Sequence, residues 1–175
     1  MTTEIARFMR ELERIWDDHV AAALVRRDVG ASMADMTAEP SVRHLPTKAG
    51  ATGRAAMERF YAEELFPCLP ADLAITRISR TVDRFRIADE TTVSFTHDRE
   101  LPWLLPGIAP THRPAEIVAI AVVSFQRGKI NTLRVLWDHA TLTAQLGLSS
   151  QPTGAGPARP HDGRTDPGAA SVAAS

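Results

Sequence analysis

The segment RVLWDHATLTAQLGL, Arg134 to Leu148, sets a carboxylate and an imidazole side by side at Asp138 and His139, where a strand pattern gives way to a helical one. Two more histidines, His44 and His97, stand at the ends of strand-like runs, and His19 falls on or beside the apolar stripe of the first helix. A carboxylate inside an apolar cavity is costly to ionise, so its pKa rises toward the range that a general acid or base needs. A neutral imidazole beside it can relay a proton or polarise a carbonyl group. Period-two alternation puts Arg134, Leu136 and Asp138 on one face of the last strand and Leu133, Val135 and Trp137 on the other. The face carrying Asp138 is expected to line a pocket. Val135 and Trp137 would then form an outer apolar patch for a second subunit. A plainer assignment makes Asp138 the N-cap of a helix, bonding the free N–H groups near Ala140 and Thr141. Each histidine could likewise be a core residue with one satisfied hydrogen bond.

The elements that must position these groups follow from the hydrophobic pattern. Ile5, Phe8, Leu12, Ile15, Trp16 and Val20 recur at three- and four-residue spacing, which predicts a long amphipathic helix from residue 3 to about 27. VGASMADM reads as a short second helix and SVRHLPT as a short strand with Val42 and His44 on one face. A third helix opens near Gly53, carries Met57, Phe60, Tyr61 and Leu65 on its stripe, and ends at Pro67. Four long strands follow within residues 72–85, 86–101, 115–126 and 129–138, the last two joined by a tight hairpin at Gln126 to Lys129. His97 shares a strand face with Val93 and Phe95. A closing helix from Ala140 to Leu146 stops at Gly147. Helices first and strands afterwards favour an α+β fold, a curved antiparallel sheet wrapped around the long helix as a cone. Residues 149–175 are rich in Pro, Gly, Ala and Ser and predict a disordered tail after a single domain of residues 1–148.

Composition narrows the function classes. A chain of 175 residues with formal net charge -1 has no global basic field for nucleic acid or for a membrane surface. The single Cys68 excludes an internal disulfide, and no Cys/His spacing suggests zinc, so neither metal nor cofactor is expected. No apolar run approaches the ~18 residues of a bilayer span, and the charged N-terminus lacks the apolar core of a signal peptide. The expected address is the cytoplasm. Trp103, Leu104 and Leu105, in a proline-rich loop, would be wasteful unless they cover a core, close a cavity or meet a partner.

Several pieces in order carry a resemblance: His44 after a short strand, Gly53 opening the third helix, and Phe95-Thr96-His97. Next come the turn PGIAPTHR from Pro106 to Arg113, then FQRGKI from Phe125 to Ile130, and finally Asp138 with Gln145-Leu146-Gly147. Over roughly residues 5 to 148 the chain resembles the SnoaL-like polyketide cyclase branch of the NTF2-like superfamily, the α+β cone shared with ketosteroid isomerase and limonene-epoxide hydrolase. HDRELPWLLPG is also similar to NTF2-like modules found alongside dienelactone hydrolases. The pattern is departed from at His112, where a glycine is usual, at Leu133 and Arg134, where an acid is usual, and at Pro102.

The resemblance implies a cofactor-independent enzyme that moves protons on a small apolar carbonyl compound, by cyclisation, isomerisation or lyase chemistry. It names Asp138 first, with His44 and His97 as catalytic partners. His19, Trp16, Phe60, Phe95, Trp103, Leu105 and Arg134 are expected to contact the substrate. A homodimer is expected as well. The same fold also hosts plain ligand-binding and interaction modules. Convergence of Asp138, His44 and His97 in one open cavity would favour the enzyme.

Overall fold

Helix α1, Thr2–Val20, forms where the apolar stripe predicts it and buries Leu12, Ile15, Trp16 and His19 on one side. Its opposite side is charged, and Arg14 bridges Glu11 and Asp18 one turn away in each direction. In this computed structural model, which describes residues 2–148, the helix continues as a wider π turn over Ala21–Arg26. It ends at Arg27 in the left-handed region, and Asp28 caps the short α2, Val29–Ala34, by accepting the Ala31 N–H. The tail expected at 149–175 lies outside the described residues. Among the described residues no helix is long and apolar enough to cross a membrane.

Six strands make one sheet: β1 Met36–Leu45, β2 Gly50–Thr52, β3 Ala74–Val82, β4 Arg86–Thr96, β5 Pro114–Gln126 and β6 Lys129–Trp137, in the order β2-β1-β6-β5-β4-β3. All neighbours are antiparallel except β1 and β6, which run parallel. The strand expected around His44 is therefore longer than its apolar run, because β6 supplies it with a ladder partner from Met36 onward. The short β2 was not anticipated. It requires Gly50, since a Cβ there would stand 2.1 Å from the Val42 carbonyl oxygen. The β5–β6 hairpin forms as expected, with Gln126 paired to Lys129 and positive φ at both Arg127 and Gly128.

The third helix is α3, Arg54–Arg59, prolonged by a π turn to Leu65 and a tight turn through Cys68. Its stripe of Met57, Phe60, Tyr61 and Leu65 packs with Leu12, Ile15 and Trp16 against the concave side of the sheet. The closing helix α4, His139–Gln145, is held to β5 by Gln145, whose amide bonds both the N–H and the carbonyl of Glu116 at 2.7 Å. This side chain takes over the pairing of β5 beyond the point where β6 has ended. The result is an α+β cone: a curved sheet closed on its concave side by α1, α3 and the 101–108 loop.

Candidate functional site

The ladder registers place Arg80 of β3, Asp89 of β4, Ala121 of β5, Val135 of β6 and His44 of β1 on one rung running across five strands. Directly opposed residues point to the same side of a sheet, and all five line one cavity of about 320 Å³. Asp89 and His44 are three strand spacings apart, roughly 14 Å along the sheet. The middle of the rung is Ala121, with Ala119 on the next rung toward Trp137. These small side chains leave the space that larger ones would fill. The cavity is predominantly apolar and at the small end of ligand-site volumes.

One end is charged. Asp89 is 3 % exposed and accepts hydrogen bonds from Trp16 Nε1 at 2.7 Å, Arg80 Nε at 2.9 Å and Arg80 Nη2 at 2.6 Å, with Arg77 Nε at 3.3 Å. Burial alone would raise its pKa, but the bonds from Arg80 and Trp16 and the two guanidinium charges hold it below the ordinary carboxylate value. Asp17, half-exposed, bonds Arg77 at 2.5 Å and Arg80 at 2.9 Å and completes an alternating cluster of charges. Both oxygens of Asp89 are engaged, so it serves as an anchored counter-charge and not as a free base. Sequence reasoning missed it. The signal was present, because Ile87, Asp89, Thr91, Val93 and Phe95 alternate onto one face and only Asp89 among them is charged.

The other end is aromatic. The ring of His44 lies 5.4 Å from Trp103, 5.9 Å from Phe60 and 6.3 Å from Trp137, centroid to centroid. Burial pushes the His44 pKa down to about 4, so the imidazole is neutral at neutral pH. Its Nδ1 is buried without a hydrogen-bond partner. Trp103 reaches the cavity because Thr47 holds its loop, donating from Oγ1 to the Trp103 carbonyl at 2.8 Å. Leu104 lines the cavity beside it while Leu105 is buried in the core below. The loop therefore closes the cavity, one of the roles open from its sequence.

His19 sits on the helical wall, stacked 5.5 Å from Trp16. Its Nδ1 lies 3.0 Å from the Ser32 carbonyl, which fixes the proton on that nitrogen and leaves Nε2 to accept from the Tyr61 hydroxyl at 3.5 Å. Burial lowers the His19 pKa to about 4 and raises that of Tyr61.

The other expected site residues are not all brought together. Trp16, His19, His44, Phe95 and Trp103 line the cavity. Phe60 is core, touching His44 from behind. His97 is buried outside the cavity: β4 ends at Thr96, and the His97 ring turns under the 106–113 loop, where Nδ1 accepts the Thr111 N–H at 3.2 Å. Its backbone bonds Arg113 and His112, so it organises that turn. Asp138 stands outside too. It is exposed and caps α4, accepting the Thr141 N–H at 3.1 Å and the Thr141 hydroxyl at 2.5 Å. The Thr141 hydroxyl, then its N–H, lower the Asp138 pKa, opposite to the rise expected of a pocket acid. The faces of β6 are inverted relative to expectation. Leu133, Val135 and Trp137 line the cavity, whereas Arg134 and Leu136 face solvent on the convex side. Val135 and Trp137 thus offer no outer patch. Among the described residues no three His, Cys, Asp or Glu side chains gather closely enough to hold a metal ion.

No protein-family model matches the sequence, and no curated protein matches it. Solved structures do match. A protein from Jannaschia sp. CCS1, provisionally named a SnoaL-like polyketide cyclase, is 16% identical, with a TM-score of 0.63 over 83% of this chain and 94% of that one. AclR from Streptomyces galilaeus, provisionally named a hydroxylase, is 20% identical with a TM-score of 0.62 over 82% and 89% of the two chains. An NTF2-like protein of unknown function from Burkholderia pseudomallei is 16% identical with a TM-score of 0.60 over 78% and 97%. The chain has the NTF2-like fold, as its sequence led us to expect.

Proposed function

We propose that the chain is a cofactor-independent enzyme of the acid–base type, acting on a small, largely apolar carbonyl compound held in the cone. The observation that carries this reading is His44: a neutral imidazole on the wall of the cavity, at the aromatic end opposite the Asp89–Arg80 pair. It takes the proton-transfer role first expected of Asp138, which is committed to capping a helix. An imidazole whose pKa is depressed to about 4 is a weak base. It suits a substrate whose C–H is already acidified by flanking carbonyl groups, as cyclisation or isomerisation of a dicarbonyl chain would present. The likeness to a protein named a polyketide cyclase supports the same substrate class.

The test is exchange of solvent deuterium into the position between the two carbonyls of benzoylacetone, with acetophenone as the less acidic comparison, followed by NMR. Wild-type protein should accelerate exchange over buffer, and His44→Gln should lose ~10²–10⁴-fold of that acceleration. A second reading, a ligand-binding module without turnover, is favoured by one observation: Asp89, the buried carboxylate on the wall, has both oxygens occupied. Binding of both compounds with exchange no faster than in buffer would select it.

The homodimer and the cytoplasmic address remain part of this proposal. The contact moves to the convex face of the sheet, where Val118, Ile120 and Leu136 are exposed and Ile120 is paired directly with Leu136.

A further inference from the structure

Arg77 and Arg80 stand three residues apart on β3, a spacing that puts side chains on opposite faces of a regular strand. Both nevertheless line the cavity. The cause is a bulge. Arg77 pairs with Thr91 and Arg80 with Asp89, and the register slips between Arg77 and Ser79, leaving Ile78 as the extra residue. The slip turns two guanidinium groups to one side of an edge strand. Asp89 engages the fork of Arg80 with both of its oxygens. From α1, Asp17 accepts Arg77 Nη2 at 2.5 Å and Arg80 Nη2 at 2.9 Å, both on the same oxygen, Oδ1. The side chains of Asp17 and Arg77 are each 48% exposed while lining the cavity, so the cavity opens to solvent at this end.

Two arginines that converge on one point of a cavity mouth make a clamp for an anion, and its present occupant fills it incompletely. Guanidinium groups hold a carboxylate best when each of its oxygens meets its own donor. Asp17 gives both arginines a single oxygen, whereas a free carboxylate can give one to each. Exchange of one for the other also conserves charge. The two arginines and two aspartates sum to zero, so a ligand carboxylate that replaces Asp17 leaves this end neutral. The released Asp17 is already half in water. A phosphate dianion would bring more charge than Asp17 gives up, and an excess charge at a partly buried site is costly. We propose that Arg77 and Arg80 form a carboxylate subsite at the mouth of the cone, occupied by Asp17 until a ligand displaces it. The ligand that this arrangement selects has an apolar body, lying past Ala119 and Ala121, and a carboxylate at one end. This deepens the proposed function by adding an acid group to its carbonyl compound, and rests on the cavity being the ligand site. It does not require turnover.

The experiment compares two probes of nearly the same shape, hydrocinnamate and benzylacetone, in which a methyl group replaces one carboxylate oxygen. Binding of each to the full-length protein is measured by calorimetry at low and at high salt. The expected result is at least ~10-fold tighter binding of the carboxylate at low salt, with the preference narrowing as salt is added. Arg77→Gln should abolish the preference while leaving benzylacetone affinity within about twofold, a readout that general damage to the cavity would not give. Asp17→Asn should act in the opposite sense. It removes the resident competitor, so hydrocinnamate should bind a further ~10-fold tighter while benzylacetone changes little. An ion pair that only ties the helix to the sheet predicts no such gain. Should Arg77→Gln fold poorly, the gain in Asp17→Asn still decides. Equal affinity for the two probes, no binding of hydrocinnamate, or an Asp17→Asn protein that binds it no tighter than wild type would overturn the subsite. Deuterium exchange without a carboxylate preference would remove the subsite and keep the proposed function. A preference without exchange would remove the catalytic reading and keep the subsite.

Discussion

Trp16 and Asp89, 73 positions apart, are joined by a 2.7 Å hydrogen bond that ties the long helix to the fourth strand at the charged end of the cavity. The same carboxylate receives the fork of Arg80, whose side chain is only 7% exposed. Asp89→Ala strands that guanidinium with only the half-exposed Asp17 as partner, and should cost about 3 kcal/mol. Trp16→Phe removes one charge-assisted bond and should cost roughly 2 kcal/mol. Urea titration of both variants and the double variant checks this. The two losses should fall short of additivity by on the order of 1 kcal/mol, whereas strict additivity would mean the bond is not energetically coupled.

Asp89 also sets a direction with pH. Its folded pKa is depressed, so its stabilisation is present above the ordinary carboxylate pKa and is lost as pH falls through the folded value. His19 and His44 act at higher pH. Both are lowered from 6.5 to about 4 by burial, so between those values the unfolded chain binds protons that the folded chain refuses. Stability should therefore fall as pH drops from about 6.5 to about 4, by on the order of 3 kcal/mol per histidine. Denaturant titrations at intervals across that window measure it. Replacing both histidines by glutamine should flatten the curve there; an unchanged slope would place the titration elsewhere.

The fold was readable because apolar periodicity reports which faces are buried. The helix stripe through Leu12, Ile15 and Trp16 and the alternation of β4 and β5 leave few arrangements other than a sheet over a helix. The candidate site was half-readable. His44 and Trp103 announced themselves as polar or aromatic groups in places that needed explaining, and both line the cavity. Asp138 misled because alternation defines two faces of a strand without saying which is inward. Leu133, Val135 and Trp137 form the wholly apolar set, and burial follows that set even though it turns the carboxylate out to solvent. Asp89 was hidden for the opposite reason. Its apolar neighbours define the strand, and the Arg80 that neutralises it and the Trp16 that donates to it come from other elements.

Asp138 now carries a structural prediction. Asparagine caps a helix about as well as aspartate, so Asp138→Asn should leave both melting temperature and any turnover unchanged. Asp138→Ala leaves the Thr141 N–H without its acceptor and should lower Tm by roughly 2–4 °C. A large rate loss in the Asn variant at unchanged Tm would return Asp138 to the mechanism.

Pairing of two copies should depend on the convex face of the sheet. Ile120 and Leu136, opposed on neighbouring strands and exposed, are where a charge would disrupt it. Light scattering at ~50 μM should give a dimer mass for the wild type and a monomer for Ile120→Asp, since weakening a contact from about 1 μM to about 1 mM takes only about 4 kcal/mol of association free energy. A monomeric wild type would end the proposed dimer.

The emptiness of the cone rests on Ala121, midway along the rung between Asp89 and His44. A larger side chain at a filled core position forces its neighbours off their rotamers and destabilises. Here the added atoms would enter open space, so Ala121→Leu should hold Tm within about 2 °C of wild type or raise it, through apolar contacts that the empty cavity lacks. The same leucine would occupy the volume between the charged and aromatic ends. Affinity for acetophenone should fall at least ~10-fold, and with it any exchange activity. Because all three tryptophans of the chain, Trp16, Trp103 and Trp137, line the cavity, intrinsic fluorescence reports both occupancy and its loss without a label. Ligand titration of the wild type and the leucine variant, with melting curves for each, separates a blocked cavity from a damaged one. Unchanged affinity in a well-folded Ala121→Leu protein would move the ligand site out of the cone altogether.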